Sequence, residues 1–110
     1  MYNLHDTVTV TVDRPMGSTH PTYPNLIYPL NYGYVEGVPA PDGEEQDAYI
    51  LGVDIPLPHF TGELIAILRR TDDCEEKWVV APAGARFSAE KILAAVHFQE
   101  HFFHTTVITE

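Results

Sequence analysis

Thr7 to Val12 alternates threonine with valine, a period of two that sets valines on one face of a strand and hydroxyls on the other. From Asp13 to Pro41 this stretch holds six of the nine prolines and three of the seven glycines, so long irregular loops are expected. Its aromatics Tyr23, Tyr28, Tyr32 and Tyr34 argue that those loops are packed and functional. Ala48 to Val53 reads as a buried strand that begins directly after Asp47. Glu63 to Arg69 and Lys77 to Ala81 are two more apolar strands, joined through turn chemistry at Thr71-Asp72-Asp73 and read as a hairpin. That pairing brings Arg69 or Arg70 and Lys77 close to Asp72, Glu75 and Glu76. Ser88 is a good N-cap for a helix from Ala89 to about Phe103, with Ile92, Leu93, Val96 and Phe103 at helical spacing. Thr105 to Thr109 reads as a short terminal strand. Several short strands followed by one C-terminal helix predict a mainly β fold, a small barrel.

Composition narrows the possibilities. With 110 residues and 45% hydrophobic content, the chain supports a single domain over residues 1–110, able to bury roughly two thirds of its unfolded surface. A net charge of −10, from 16 acidic against 6 basic residues, argues against nucleic acid or an anionic membrane as partner, since both need a basic footprint. An anionic ligand would need bound cations to reverse the local field. The N-terminus lacks the basic start and apolar run of a secretory signal, and no apolar segment approaches the ~20 residues of a membrane span, so a cytoplasmic location is expected. Cys74 is the single cysteine; its acidic neighbours disfavour a thiolate, and it reads as a bystander.

Asp42, Glu44, Glu45 and Asp47 place four carboxylates within six residues. Crowded anions repel unless they are solvated or neutralised by cations. By composition alone this is a solvated acidic turn, and an EF-hand fails because Gly43 is misplaced and no glutamate closes a twelve-residue loop. Just upstream, however, stands Tyr28-Pro29-Leu30-Asn31-Tyr32-Gly33-Tyr34, and a phenol-rich turn beside the acids favours a pocket that holds a divalent metal. Together the two blocks resemble the signature of the soluble family I inorganic pyrophosphatases, Tyr-Pro-x-Asn-Tyr-Gly-Tyr followed by Asp-Gly-Asp-Pro-x-Asp. Here the second block reads Asp42-Gly43-Glu44-Glu45-Gln46-Asp47: the spacing matches and two identities differ.

The resemblance implies a shortened member with a five-stranded, OB-like barrel that hydrolyses pyrophosphate to two phosphates with magnesium. It implies Asp42, Asp47, Asp72 and Glu75 as metal ligands, with Glu76 as an alternative to Glu75, and Glu44 in place of the aspartate that helps a metal-activated water lose its proton. Tyr32, Lys77, Arg14 and Arg70 are the candidate substrate contacts; aligned one way the Asp13-Arg14-Pro15 segment makes Asp13 relevant, aligned the other way Arg14. The family's N-terminal lysine has no counterpart, and its late Tyr-Lys pair is replaced by Phe102-Phe103. Two other readings stay open: a metal- and phosphate-binding module with weakened turnover, and a hydrolase of another small phosphoanhydride. His97 and His101 lie at i, i+4 with His104 three further on, a spacing that could bind zinc but lacks the surrounding zinc motif; the resemblance implies instead that they face a subunit contact in a homo-oligomer.

Overall fold

The structure, a computed structural model, describes residues 2–72 and 75–109. Asp73 and Cys74, and with them the reading of Cys74 as a bystander thiol, lie outside the described residues. The Thr/Val alternation forms β1 (Thr7–Arg14), which pairs antiparallel with β2 (Asn31–Pro39) on one edge and with β4 (His59–Arg70) on the other. β2 continues antiparallel into β3 (Glu45–Ile50), β3 runs parallel to β5 (Glu76–Ala81), and β5 returns antiparallel to β4. The order β1-β2-β3-β5-β4, closed by the β1–β4 pairing, is a five-stranded barrel. β4 is long enough to serve two partners on one edge: β1 pairs with it around residues 59–63, and β6 (Thr105–Ile108) around residues 67–70.

Helix α1 (Ala89–Glu100) starts where Ser88 accepts a hydrogen bond from the Lys91 N–H, the expected N-cap, and ends three residues short of the expected Phe103. Two apolar clusters share the strands by parity. Val8, Val10, Val35, Ala48, Ile50, Leu64, Trp78 and Val80 come from all five barrel strands and fill the interior. Tyr28, Tyr32, Tyr49, Leu68, Val79, Ile92 and Val96 form the second core, between the barrel's outer face and α1. The expected loop from Asp13 to Pro41 is corrected here: β2 occupies its second part, with Pro29 and Pro39 at its borders where they interrupt no ladder. Gly33 is why that strand can form. A Cβ there would stand 1.9 Å from the Thr11 carbonyl oxygen, so only glycine lets β1 and β2 approach at this point.

Candidate functional site

Period-two geometry decides which side chains meet. On β5, Lys77 shares the outer face with Val79 and Ala81; on β3, Asp47 shares it with Tyr49 and, just past the strand's end, Leu51; on β4, Arg70 follows Ala66 and Leu68. Each polar residue thus continues an apolar row that packs on α1, and the rows end together at one mouth. Arg14 reaches the same face by a different device. Thr11 lies opposite Tyr34 and Val12 opposite Gly33, but the next pair is Arg14 with Tyr32, so Asp13 is the extra residue of a β-bulge. The bulge turns the arginine, rather than the aspartate, onto the outer face.

Arg14, Tyr32, Asp47, Arg70, Glu75 and Lys77 line a single cavity of about 860 Å³. At its floor the Lys77 ammonium is 2.5 Å from Asp47 Oδ2 and 2.6 Å from Glu75 Oε2. Lys77 is almost fully buried, whereas the two carboxylates are about one third exposed. Burial opposes the ammonium charge, but Tyr32, Asp47 and Glu75 outweigh it and hold Lys77 well above the usual lysine range. Burial pushes the Tyr32 phenol up, so it stays a neutral hydrogen-bonding group. Three of the chain's six basic residues line this cavity against two carboxylates, which makes it a locally cationic hollow in a protein of charge −10.

A second layer fixes the two guanidinium groups. Glu100, at the end of α1, accepts from Arg70 Nε at 3.0 Å and Nη2 at 2.8 Å, from the Tyr49 hydroxyl at 2.6 Å and from Thr105 at 2.8 Å. Burial raises a carboxyl, yet these donors win and hold Glu100 below its ordinary range. Arg70 also stacks on Phe103, its guanidinium carbon 3.6 Å from the ring centroid. Gln99 donates to the Tyr49 hydroxyl at 2.7 Å and accepts from Tyr28 at 2.8 Å; Tyr28 in turn accepts from Arg14 at 2.5 Å. Sequence reasoning missed Gln99 and Glu100. The signal is that they stand seven and eight residues after Ile92, on the apolar stripe through Val96, where a polar pair must be buried and therefore partnered.

The remaining candidates lie elsewhere. Asp42 and Glu44 sit in the exposed connection between β2 and β3, where the Asp42 side chain accepts from the Glu44 N–H at 3.0 Å; neither lines the cavity. The hairpin runs past the barrel wall, so its tip points to solvent while Asp47, inside β3, faces the cavity. That strand begins at Glu45, three residues before the expected start. Asp72 is exposed at the end of β4, where its carboxylate accepts from the His104 N–H at 3.4 Å, and it too is outside the cavity lining. Glu76 pairs with Arg69 at 2.7 Å on the strand's far side, which leaves Glu75 as the hairpin acid that faces the cavity. His97 and His101 stack on one another with centroids 4.9 Å apart, and among the described residues no group of three or more His, Cys, Asp or Glu is arranged to hold a metal ion.

The residues still fit a hard divalent cation in a limited way. Asp47 on β3 and Glu75, just ahead of β5, converge on one cationic centre, now the lysine ammonium, and magnesium is commonly held by one or two carboxylates together with waters and substrate oxygens.

A closed five-stranded barrel with one flanking helix and a mixed-charge cavity on its outer face defines a class of small β proteins, and comparison with solved structures narrows it to a fold. No protein-family model matches the chain. Its structure is similar to that of inorganic pyrophosphatase from Ehrlichia chaffeensis, with TM-score 0.73 and 14% identity over 98% of this chain and 88% of that one. It is also similar to an inorganic pyrophosphatase from Coxiella burnetii, with TM-score 0.66, 16% identity and coverage of 97% and 86%. A third similar structure is an inorganic pyrophosphatase from Neisseria gonorrhoeae, with TM-score 0.63, 21% identity and coverage of 87% and 73%. The fold is that of the inorganic pyrophosphatases, as the tyrosine and acidic blocks imply. No helix is long and apolar enough to cross a membrane.

Proposed function

We propose that this chain is a divergent family I inorganic pyrophosphatase that hydrolyses pyrophosphate to two phosphates with magnesium. The observation that carries this reading is the convergence of Arg14, Arg70 and Lys77 with Asp47 and Glu75 at one cavity of a pyrophosphatase-like barrel. In the reaction, water adds to one phosphorus, the bridging P–O bond breaks and two orthophosphates leave. Asp47 and Glu75 are the residues that hold magnesium in this reading; when bound, the metal supplies positive charge against the phosphate oxygens and makes a nearby water more acidic. Arg14 and Arg70 offer phosphate oxygens the guanidinium N–H groups not already given to Tyr28 and Glu100, and Tyr32 adds a neutral hydroxyl. With magnesium on Asp47 and Glu75, the Lys77 ammonium between them would be available to phosphate oxygens. Asp42, Glu44 and Asp72 join this machinery only if the hairpin tip and the end of β4 close over the substrate. Assembly as a homo-oligomer and a cytoplasmic location belong to the same reading, supported by the resemblance.

One observation favours a second reading, a metal- and phosphate-binding module of the same fold with weak turnover: no set of three acids converges among the described residues. Phosphate release from pyrophosphate separates the two, assayed with and without magnesium for the parent, Asp47→Asn and Arg70→Met. The enzyme reading expects magnesium-dependent release by the parent and a loss of about a hundredfold or more in Asp47→Asn. If the parent binds pyrophosphate with magnesium yet releases no phosphate, the module reading replaces it.

A further inference from the structure

Bare pyrophosphate does not account for the shape of the cavity. All of its surface is oxygen, and the floor formed by Arg14, Arg70 and Lys77 supplies what such an anion needs. Yet the hollow measures about 860 Å³, within the ~300–1,000 Å³ range of sites that enclose whole organic ligands. Its upper walls are apolar and aromatic, formed by Tyr23, Pro24, Leu26, Phe102 and Phe103. Tyr23 and Phe102 are 63% and 66% exposed, an unfavourable placement for rings this large unless something covers them. Both are also held in place. The Tyr23 ring lies 5.1 Å from that of His20, whose Nδ1 accepts from the Thr22 and Tyr23 N–H groups at 3.0 and 3.2 Å. The Phe102 ring lies 4.0 Å from that of His101, which is itself fastened to the His97 carbonyl at 2.6 Å.

Resting on the proposed phosphate chemistry of the floor, we propose that the site takes a phosphoanhydride with a flat heteroaromatic arm, a nucleoside diphosphate in chemical class, with diphosphate on the cationic floor and base against the Tyr23 and Phe102 rings. Charge complementarity fixes the polar end. Stacking on exposed aromatic rings is the ordinary way a protein holds a base, and it tolerates different bases because every base has a π-face. Asn25 also lines the cavity, an amide of the type that can pair with a base edge.

The test is calorimetric binding, in magnesium, of two compounds that resist hydrolysis: α,β-methylene adenosine diphosphate and methylenediphosphonate, which has the same kind of head group and no base. The expected result is that the nucleotide analogue binds about tenfold tighter or more. Tyr23→Ala and Phe102→Ala should each remove most of that advantage and leave methylenediphosphonate affinity within about twofold. Both side chains are exposed, so the variants should fold, and circular dichroism of each checks this. If the two compounds bind equally to the parent, or if the substitutions weaken both alike, the aromatic arm is overturned while the phosphate floor stands. If neither compound binds, the floor reading falls and takes this inference with it. If the substitutions leave nucleotide affinity intact but change the sedimentation of the protein, the aromatic rim covers a second copy of the chain and the inference is wrong.

Discussion

Lys77 is the residue on which the site turns, because its ammonium lies between Asp47 and Glu75, the pair proposed above to hold magnesium. Lys77→Met keeps much of the stem and deletes the charge, leaving two carboxylates to repel across the gap. A fully buried pair broken in this way costs about 3–5 kcal/mol; with both acids about one third exposed, a loss of about 2 kcal/mol is expected without magnesium. Magnesium should then raise the melting temperature of Lys77→Met by more than it raises that of the parent, since it no longer displaces an ammonium. Equal shifts in the two proteins would show that metal and lysine do not share those oxygens. Gly33 yields a purely structural prediction at the same scale. Gly33→Ala drives a methyl group into the Thr11 carbonyl, and the forced separation of β1 from β2 should cost about 3 kcal/mol in urea unfolding. A cost within 0.5 kcal/mol, roughly the range of neutral surface changes, would mean that the two strands are not held this close in solution.

At the scale of elements, the end of α1 does more than cap a helix. Glu100 is 3% exposed and bridges Arg70 on β4, Tyr49 on β3 and Thr105 on β6. Glu100→Ala leaves the buried Arg70 guanidinium with only the longer contact to Glu75 at 3.5 Å, and a loss of about 3 kcal/mol is expected by denaturant unfolding. Glu90→Ala, exposed in the first turn of the same helix, should cost under about 1 kcal/mol. Similar losses for both would mean that helix propensity, and not the buried network, governs the effect. The helix itself was legible from its apolar spacing and Ser88; the role of its last turn was not, because its partners lie on strands remote in sequence. β1 was legible from its period of two, and β4 and β5 from their apolar runs on either side of the turn residues near Thr71. β2 was hidden because prolines crowd its flanks and Tyr32-Gly33-Tyr34 carries its alternation on tyrosines that the motif had already claimed. That Asp47 and Glu75 line the cavity while Asp42, Glu44 and Asp72 do not could not be read from the acidic blocks without knowing where the hairpins leave the barrel. The bulge at Asp13, which selects Arg14, is set by cross-strand register and leaves no mark in one sequence.

For the whole molecule, Glu63 joins parts of the chain that share no ladder. Standing on β4, it accepts from the His5 ring ahead of β1, from the Gly84 N–H at 3.1 Å and from Arg86 at 3.2 Å, both of these in the connection between β5 and α1. The His5 hydrogen bond, then that of Gly84, lowers its carboxyl from 4.5 to about 2. A carboxyl depressed in the folded state releases its proton more readily there than in the unfolded chain, so the stability it provides is complete above about 4.5 and is lost as the pH falls toward about 2. The net charge of −10 acts in the opposite direction, because shedding negative charge relieves self-repulsion on acidification. A fall in stability within that window therefore has to come from specific bonds such as these. Urea midpoints measured stepwise through the window should drop for the parent, whereas Glu63→Gln should start lower at neutral pH and follow a flatter curve. Parallel curves for the two proteins would mean that the N-terminal segment and the α1 connection are held to β4 by something other than this carboxylate.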